Sequence, residues 1–317
     1  MIMEPFPIQY LDVTQDVLMK LNGILDPALF SFDGKPAPGI LQNRVETFDE
    51  GGLLTDVAYI VVPNNVVHIS LTYMQILWML DYAVFTMYDS LATIQEFDTM
   101  PPELRQQVLE EYRLDPILAS KRFVLEVADY DKTVQRASEI ISTAAELRYR
   151  KFNDDEIKSL FVLCPTKSFY GQKMNMVYEE GIAFSMLHEY AHFALSHRTP
   201  SLANEIAADK LAMKILYERS TPERQMSVAS GIISVFGSFV LLSKSVFNDL
   251  DHPDNDDRMF ALLDIVSEEH RNKLIPLVRF YLLQWAYLCG VHDFPDGADL
   301  PAIKNFMRNY KVSVNQL

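Results

Sequence analysis

His188, Glu189 and His192 stand in the stretch MLHEYAHFALSH (residues 186–197): two imidazoles four positions apart, with a carboxyl directly after the first. On a helix, positions four apart share a face, so both rings can be offered to one cation while Glu189 lies beside it. Zinc hydrolysis requires such groups. Two neutral histidines and a third protein ligand hold Zn²⁺, the fourth position is left to a water whose pKa the metal lowers, and a glutamate passes that water's proton to the leaving amine. H-E-x-x-H thus encodes a mechanism, and at average residue usage a chain of this size contains it by chance with odds on the order of 1%. Its neighbours Met186, Leu187, Tyr190, Ala191, Phe193, Ala194 and Leu195 are uncharged, which sets the motif on a packed helix.

A third ligand is expected nearby. Thirteen residues beyond His192 comes Glu205, and Asp209 follows it at helical i, i+4 spacing in NEIAADKLA. After a turn at Thr199-Pro200, an antiparallel or crossing helix would return Glu205 to the histidines. Asp209, one turn on, would bond the far nitrogen of a ligand imidazole and fix its tautomer. Apolar neighbours (Ile206, Ala207, Ala208, Leu211, Ala212) make this segment core rather than a solvated face.

H-E-x-x-H at 188–192, E-x-x-A-D at 205–209 and H-P-x-x-x-x-R at 252–258, in this order, resemble the gluzincin metallopeptidases of the HtpX and CAAX-prenyl-protease type. The resemblance implies His188, His192 and Glu205 as ligands of one Zn²⁺ per chain, Glu189 as general base and Asp209 as the group orienting a ligand. It also implies His252 near the open metal position and Arg258 as a structural or substrate-side partner. It covers residues 179–263 and leaves most of the first half unassigned. In general build the chain also looks like the Lit-type phage-exclusion peptidases, which cleave a translation factor. His252 would either donate to the developing oxyanion or occupy the open position and hold the enzyme inactive. The acids Asp249, Asp251, Asp254, Asp256 and Asp257 around it would favour the protonated, donating ring.

These residues need rigid elements to hold them. VAYIVVP (57–63) and NVVHISLT (65–72), joined across Pro63-Asn64-Asn65, read as a β-hairpin. That hairpin is faintly similar to the family's N-A-F-x-x-P-G-G element, without its glycines. SLFVLCP (159–165) is a competing candidate for the edge strand that would pair with a peptide. Helices are expected in YMQILWMLDYAVFTMY, PPELRQQVLEEYR and TVQRASEIISTAAELRYRKF, and almost continuously from Glu179. The motif helix should run to about His197. A second should span about Ser201 to Arg219, a third start at Thr221-Pro222-Glu223, and a fourth start near Asp254 after a break at 249–253. His197, five residues beyond His192, points off the metal face and suits a helix C-cap; His68, His270 and His292 are structural. The expected fold is α+β and mostly helical, a zincin-like core with a small β-sheet or hairpin and an active-site helix pair. Residues 1–150 form an N-terminal region without assigned role, and 151–317 the metallopeptidase core.

At 317 residues with 49% apolar and 22% charged content, the chain folds as a globular protein. Its net charge of −15 repels phosphate backbones, so nucleic acid is not an expected partner. Two cysteines, Cys164 and Cys289, give no disulfide framework, and the N-terminus has no secretory pattern, so a cytoplasmic address is expected. Residues 225–243 carry no charge and offer a membrane-associated alternative, although five serines and two glycines favour a buried helix. A zinc endopeptidase acting on a protein or peptide is the reading. The alternatives are a regulatory or binding protein on the same scaffold, which would not need Glu189, and a structural zinc, which would draw on cysteine.

Overall fold

The computed structural model describes residues 66–114, 130–150, 169–197, 201–248, 251–297 and 299–314, with short pieces at 17, 21, 31–32, 35–36, 45–48, 58–61, 155–156 and 199. It is mostly helical. The chain divides into two compact units, one built on Ser70–Tyr178 and the other on Glu179–Leu317 together with Thr14–Phe48 and Asp56–Ile69.

The first unit rests on α1 (Leu71–Thr99), α2 (Pro102–Leu114) and α3 (Tyr130–Leu147). Ser70 Oγ accepts from the Tyr73 amide, so the chain leaves its last strand through a serine cap. From Tyr73 to Met87 almost every side chain of α1 is buried, including Trp78, Leu80 and Val84, as expected of a helix apolar nearly all round. Against it packs α3, whose buried residues Thr133, Ala137, Ile140, Ala144 and Leu147 recur every three or four positions.

In the second unit, β4 (Ala58–Val61) pairs antiparallel with β5 (Val66–Ser70), Tyr59 opposite His68 and Val61 opposite Val66. The two stretches read as a hairpin are therefore paired. The second strand ends earlier than expected, because Leu71 and Thr72 already belong to α1. β3 (Val45–Phe48) flanks β5, and β1 (Ser31–Phe32) pairs with β2 (Lys35–Pro36); nothing in their short, mixed sequences signalled them. SLFVLCP lies outside the described residues, as does Cys164.

Among the described residues six helices follow: α4 (Phe169–Ala194), whose residues up to Tyr178 belong to the first unit, α5 (Leu202–Arg219), α6 (Pro222–Ser243), α7 (Asn255–Ile265), α8 (Glu268–Leu288) and α9 (Leu300–Val314). The core of the unit is α6, which packs against α5, α7 and α8. It is long and apolar enough to cross a membrane, yet 72% of its most apolar window is buried within the protein. Gly237 lets α8 come close: a Cβ there would stand 2.3 Å from the Tyr281 ring.

The C-terminal helix α9 is tied to the start of α7 by Lys311. Its Nζ lies 2.9 Å from Asp254, 2.7 Å from Asp256 and 2.9 Å from Asp257. Asp256 is fully buried, so the ammonium offsets a charge that water cannot reach. Lys311→Met should cost about 3 kcal/mol, the order found when one member of a buried pair is removed. Urea unfolding reads this as a lower midpoint at unchanged slope; an unshifted midpoint would mean that another group balances Asp256.

Candidate metal centre

The motif occupies the last turns of α4, which begins at Phe169 rather than near Glu179 and ends at Ala194, short of the expected His197. Ser196 takes a left-handed backbone (φ 57°), and its amide donates to the Phe193 carbonyl while the His197 amide donates to that of His192. This is the glycine-type helix ending built with serine, at a cost of about 1 kcal/mol. Four residues later Ser201 caps α5, its Oγ accepting from the Asn204 amide, while Asn204 Nδ2 donates to the Thr199 carbonyl. The reversal brings the first turn of α5 against the end of α4.

Three atoms converge there. His188 Nε2 and His192 Nε2 are 3.1 Å apart, and Glu205 Oε2 lies 3.2 Å from the first and 3.3 Å from the second. Together these groups can hold a metal ion. Glu205 Oε2 is buried, and three imidazoles surround it. The third is His252, half-exposed, whose Nε2 is 3.5 Å away.

Behind the cluster a second set of contacts runs through all three motifs. His188 Nδ1 lies 2.9 Å from Asp209 Oδ1. Arg258 grips the same carboxylate with two bonds, Nε to Oδ2 and Nη2 to Oδ1, each 2.7 Å. The guanidinium is buried and stands 4.3 Å from the centre of the Phe236 ring of α6. Arg258 is thus a structural partner of Asp209. Its pairing is the bidentate fork that arginine forms with carboxylates.

The charges of these groups follow from their neighbours. Burial lowers His188, but the contacts with Asp209 and Glu205 outweigh it and raise the ring to about 9. Asp209 is pushed up by burial and pulled down further by Arg258 and His188, to about 2. Glu205 also feels burial first, and its contacts with His188 and His192 hold it well below the carboxylate range. Glu189 is raised by burial, only partly offset by the attraction of His188 and His192. His197 is lowered by burial and by His192.

One expectation needs extending and another correcting. His197 stays off the metal-facing side of His192, as expected, but it meets that ring from behind: its Nδ1 is 3.0 Å from His192 Nδ1, the rings meeting edge to face. The helix ending at Ser196 turns it back, and no glycine announced that ending. Three of the five acids expected around His252 lie elsewhere: Asp254, Asp256 and Asp257 surround Lys311, while Glu205 stands beside His252. His270 bonds Tyr217 Oη through Nδ1 at 2.6 Å, a structural contact.

Asp209→Asn keeps an oxygen for Arg258 but removes the anion beside His188. The fold should survive while metal affinity falls about 10- to 100-fold. Chelator competition measures this; an unchanged dissociation constant would mean that Asp209 does not act on the ligand.

No curated protein matches the chain, and no solved structure does. The family described as Peptidase U49 matches residues 67–278, reaching more than a hundred residues before the span of the gluzincin resemblance. Of the two resemblances, the Lit type coincides with the matched family. As the match takes in most of the chain and every residue of the cluster, the protein belongs to the Peptidase U49 family.

Proposed function

We propose that the protein is a zinc-dependent endopeptidase of gluzincin type, with His188, His192 and Glu205 as ligands and the α4–α5 pair as a zincin-like active-site helix pair. The observation that carries this reading is the spacing of 3.1, 3.2 and 3.3 Å among two ring nitrogens and a carboxylate oxygen. Ligand bonds of about 2.0–2.1 Å in a tetrahedron put neighbouring donors about 3.3–3.4 Å apart. An octahedral site with bonds of the same length would bring them to about 2.9 Å. The donor set, two imidazoles and one carboxylate, also suits zinc and leaves one position open.

Bound there, zinc would polarise the scissile carbonyl and bring a water's pKa towards neutrality. The remaining work belongs to the chain. Glu189 accepts the proton of the attacking water and delivers it to the leaving amine. Asp209, held by Arg258, keeps His188 turned towards the site. His252, on the turn before α7, donates to the oxyanion that develops as the carbonyl is attacked. All these groups fall within residues 151–317, which we read as the metallopeptidase core; the family match begins at residue 67. We place the protein in the cytoplasm, with α6 as a core helix rather than a membrane anchor.

Metal analysis of the purified protein, beside proteome-wide cleavage mapping with wild type and Glu189→Gln, tests the proposal. It requires about one zinc per chain and cleavages present only with wild type. For His252 the sign decides. As an oxyanion donor, its replacement by Ala should lower kcat about 10²-fold with zinc content intact. A rise in activity would make it an inhibitory ligand, and no change would detach the H-P-x-x-x-x-R motif from catalysis.

A further inference from the structure

We propose that His197 is a positioning residue for the metal centre, accepting the Nδ1 hydrogen of His192 and so fixing the ring orientation that turns His192 Nε2 towards the ion. This rests on the function proposed above. A neutral imidazole that ligates through Nε2 carries its hydrogen on Nδ1, and such hydrogens almost always have an acceptor that holds the ring. Behind His188 Nδ1 stands Asp209 Oδ1, at 2.9 Å. Behind His192 Nδ1 stands His197 Nδ1, at 3.0 Å, with the two rings inclined at 73°. The two ligand histidines are thus held from behind by different chemistry, one by an anion and one by a neutral ring. A neutral acceptor suits His192 because Glu189, Glu205 and Asp209 already crowd three carboxylates around the site.

The backbone is shaped for this contact. In a continuing helix, a residue five positions on would stand about 140° round the axis from His192. Here the left-handed Ser196 ends the helix, and the His197 amide returns to the His192 carbonyl at 3.0 Å. Main chain and side chain of His197 therefore close on the same residue. A non-glycine residue held at positive φ next to a candidate site is the kind of conformation that persists where the surroundings over-determine it.

The test compares wild type, His197→Leu and His197→Asn, since an asparagine oxygen can stand where Nδ1 does. The readouts are zinc affinity by chelator competition, the visible spectrum of the cobalt(II)-loaded protein, and the unfolding midpoint of the metal-free chain. His197→Leu should weaken zinc about 10- to 100-fold and alter the cobalt spectrum while leaving the metal-free midpoint near that of wild type. His197→Asn should recover most of the affinity and the spectrum. Wild-type affinity and spectrum in His197→Leu would overturn the proposal while the metal site stands. Equal loss in both variants would overturn it too, by showing that only the ring's packing matters. A wild type that takes up neither ion would overturn the proposed function and this role with it.

Discussion

Glu189→Gln is expected to keep metal and fold and to lose peptide hydrolysis by about 10³- to 10⁴-fold, the upper range for removal of a positioned general base. The residue follows directly on His188 in the last turns of α4, so its position is fixed by the same helix that fixes the imidazoles. Glutamine has the same shape and keeps an oxygen in place, and it contributes nothing to the ligand set, so metal content should not move. What it lacks is basicity. Burial raises the Glu189 carboxyl above its ordinary value, which gives the proton acceptor more affinity than a solvated carboxylate has. The loss should fall on kcat and kcat/KM alike, as when an interaction made only in the transition state is removed. Turnover within a factor of about two of wild type would show that another group activates the water, and the peptidase reading would have to shift to that group.

The helices were legible where their pattern was local. α3 shows its buried face as a stripe of Thr133, Ala137, Ile140, Ala144 and Leu147, and α6 opens on Thr221, Pro222 and Glu223 in the order a helix start favours. Boundaries were less legible, because competing signals meet there. The strand-like Leu71-Thr72 is taken into α1 by the Ser70 cap. The start of α4 lies ten residues before the expected Glu179, across a stretch whose Gly171 and mixed polarity gave no clear period.

The cluster was legible for a different reason: its histidines are near in sequence, so helical spacing alone brings His188 and His192 together. Glu205 required one further step, a reversal between two helices. Longer-range contacts were beyond reach of spacing. Arg258 was named from a resemblance, but that it grips Asp209 depends on α7 packing beside α5. His197 was set aside by correct helical arithmetic applied past the point where the helix ends. The acids near His252 were assigned by proximity in sequence, whereas Lys311, more than fifty residues on, claims three of them.

His188→Ala should take zinc from about one per chain to almost none while the protein remains folded. The ring supplies one of three donors, and the two that remain, His192 Nε2 and Glu205 Oε2 at 3.3 Å, hold an ion poorly. The substitution leaves Asp209 bound to Arg258 by both oxygens, so no buried charge is orphaned behind the site. That is why metal loss and unfolding should separate in this variant. The space left beside Phe184, whose ring centre lies 6.3 Å from that of His188, should lower the unfolding midpoint only modestly. His192→Ala should lose zinc to the same extent, for the same count of donors. Metal analysis after gel filtration, with circular dichroism on the same samples, reads both effects. Stoichiometric zinc in His188→Ala at wild-type helicity would place the ion elsewhere and remove the basis for every role assigned around it.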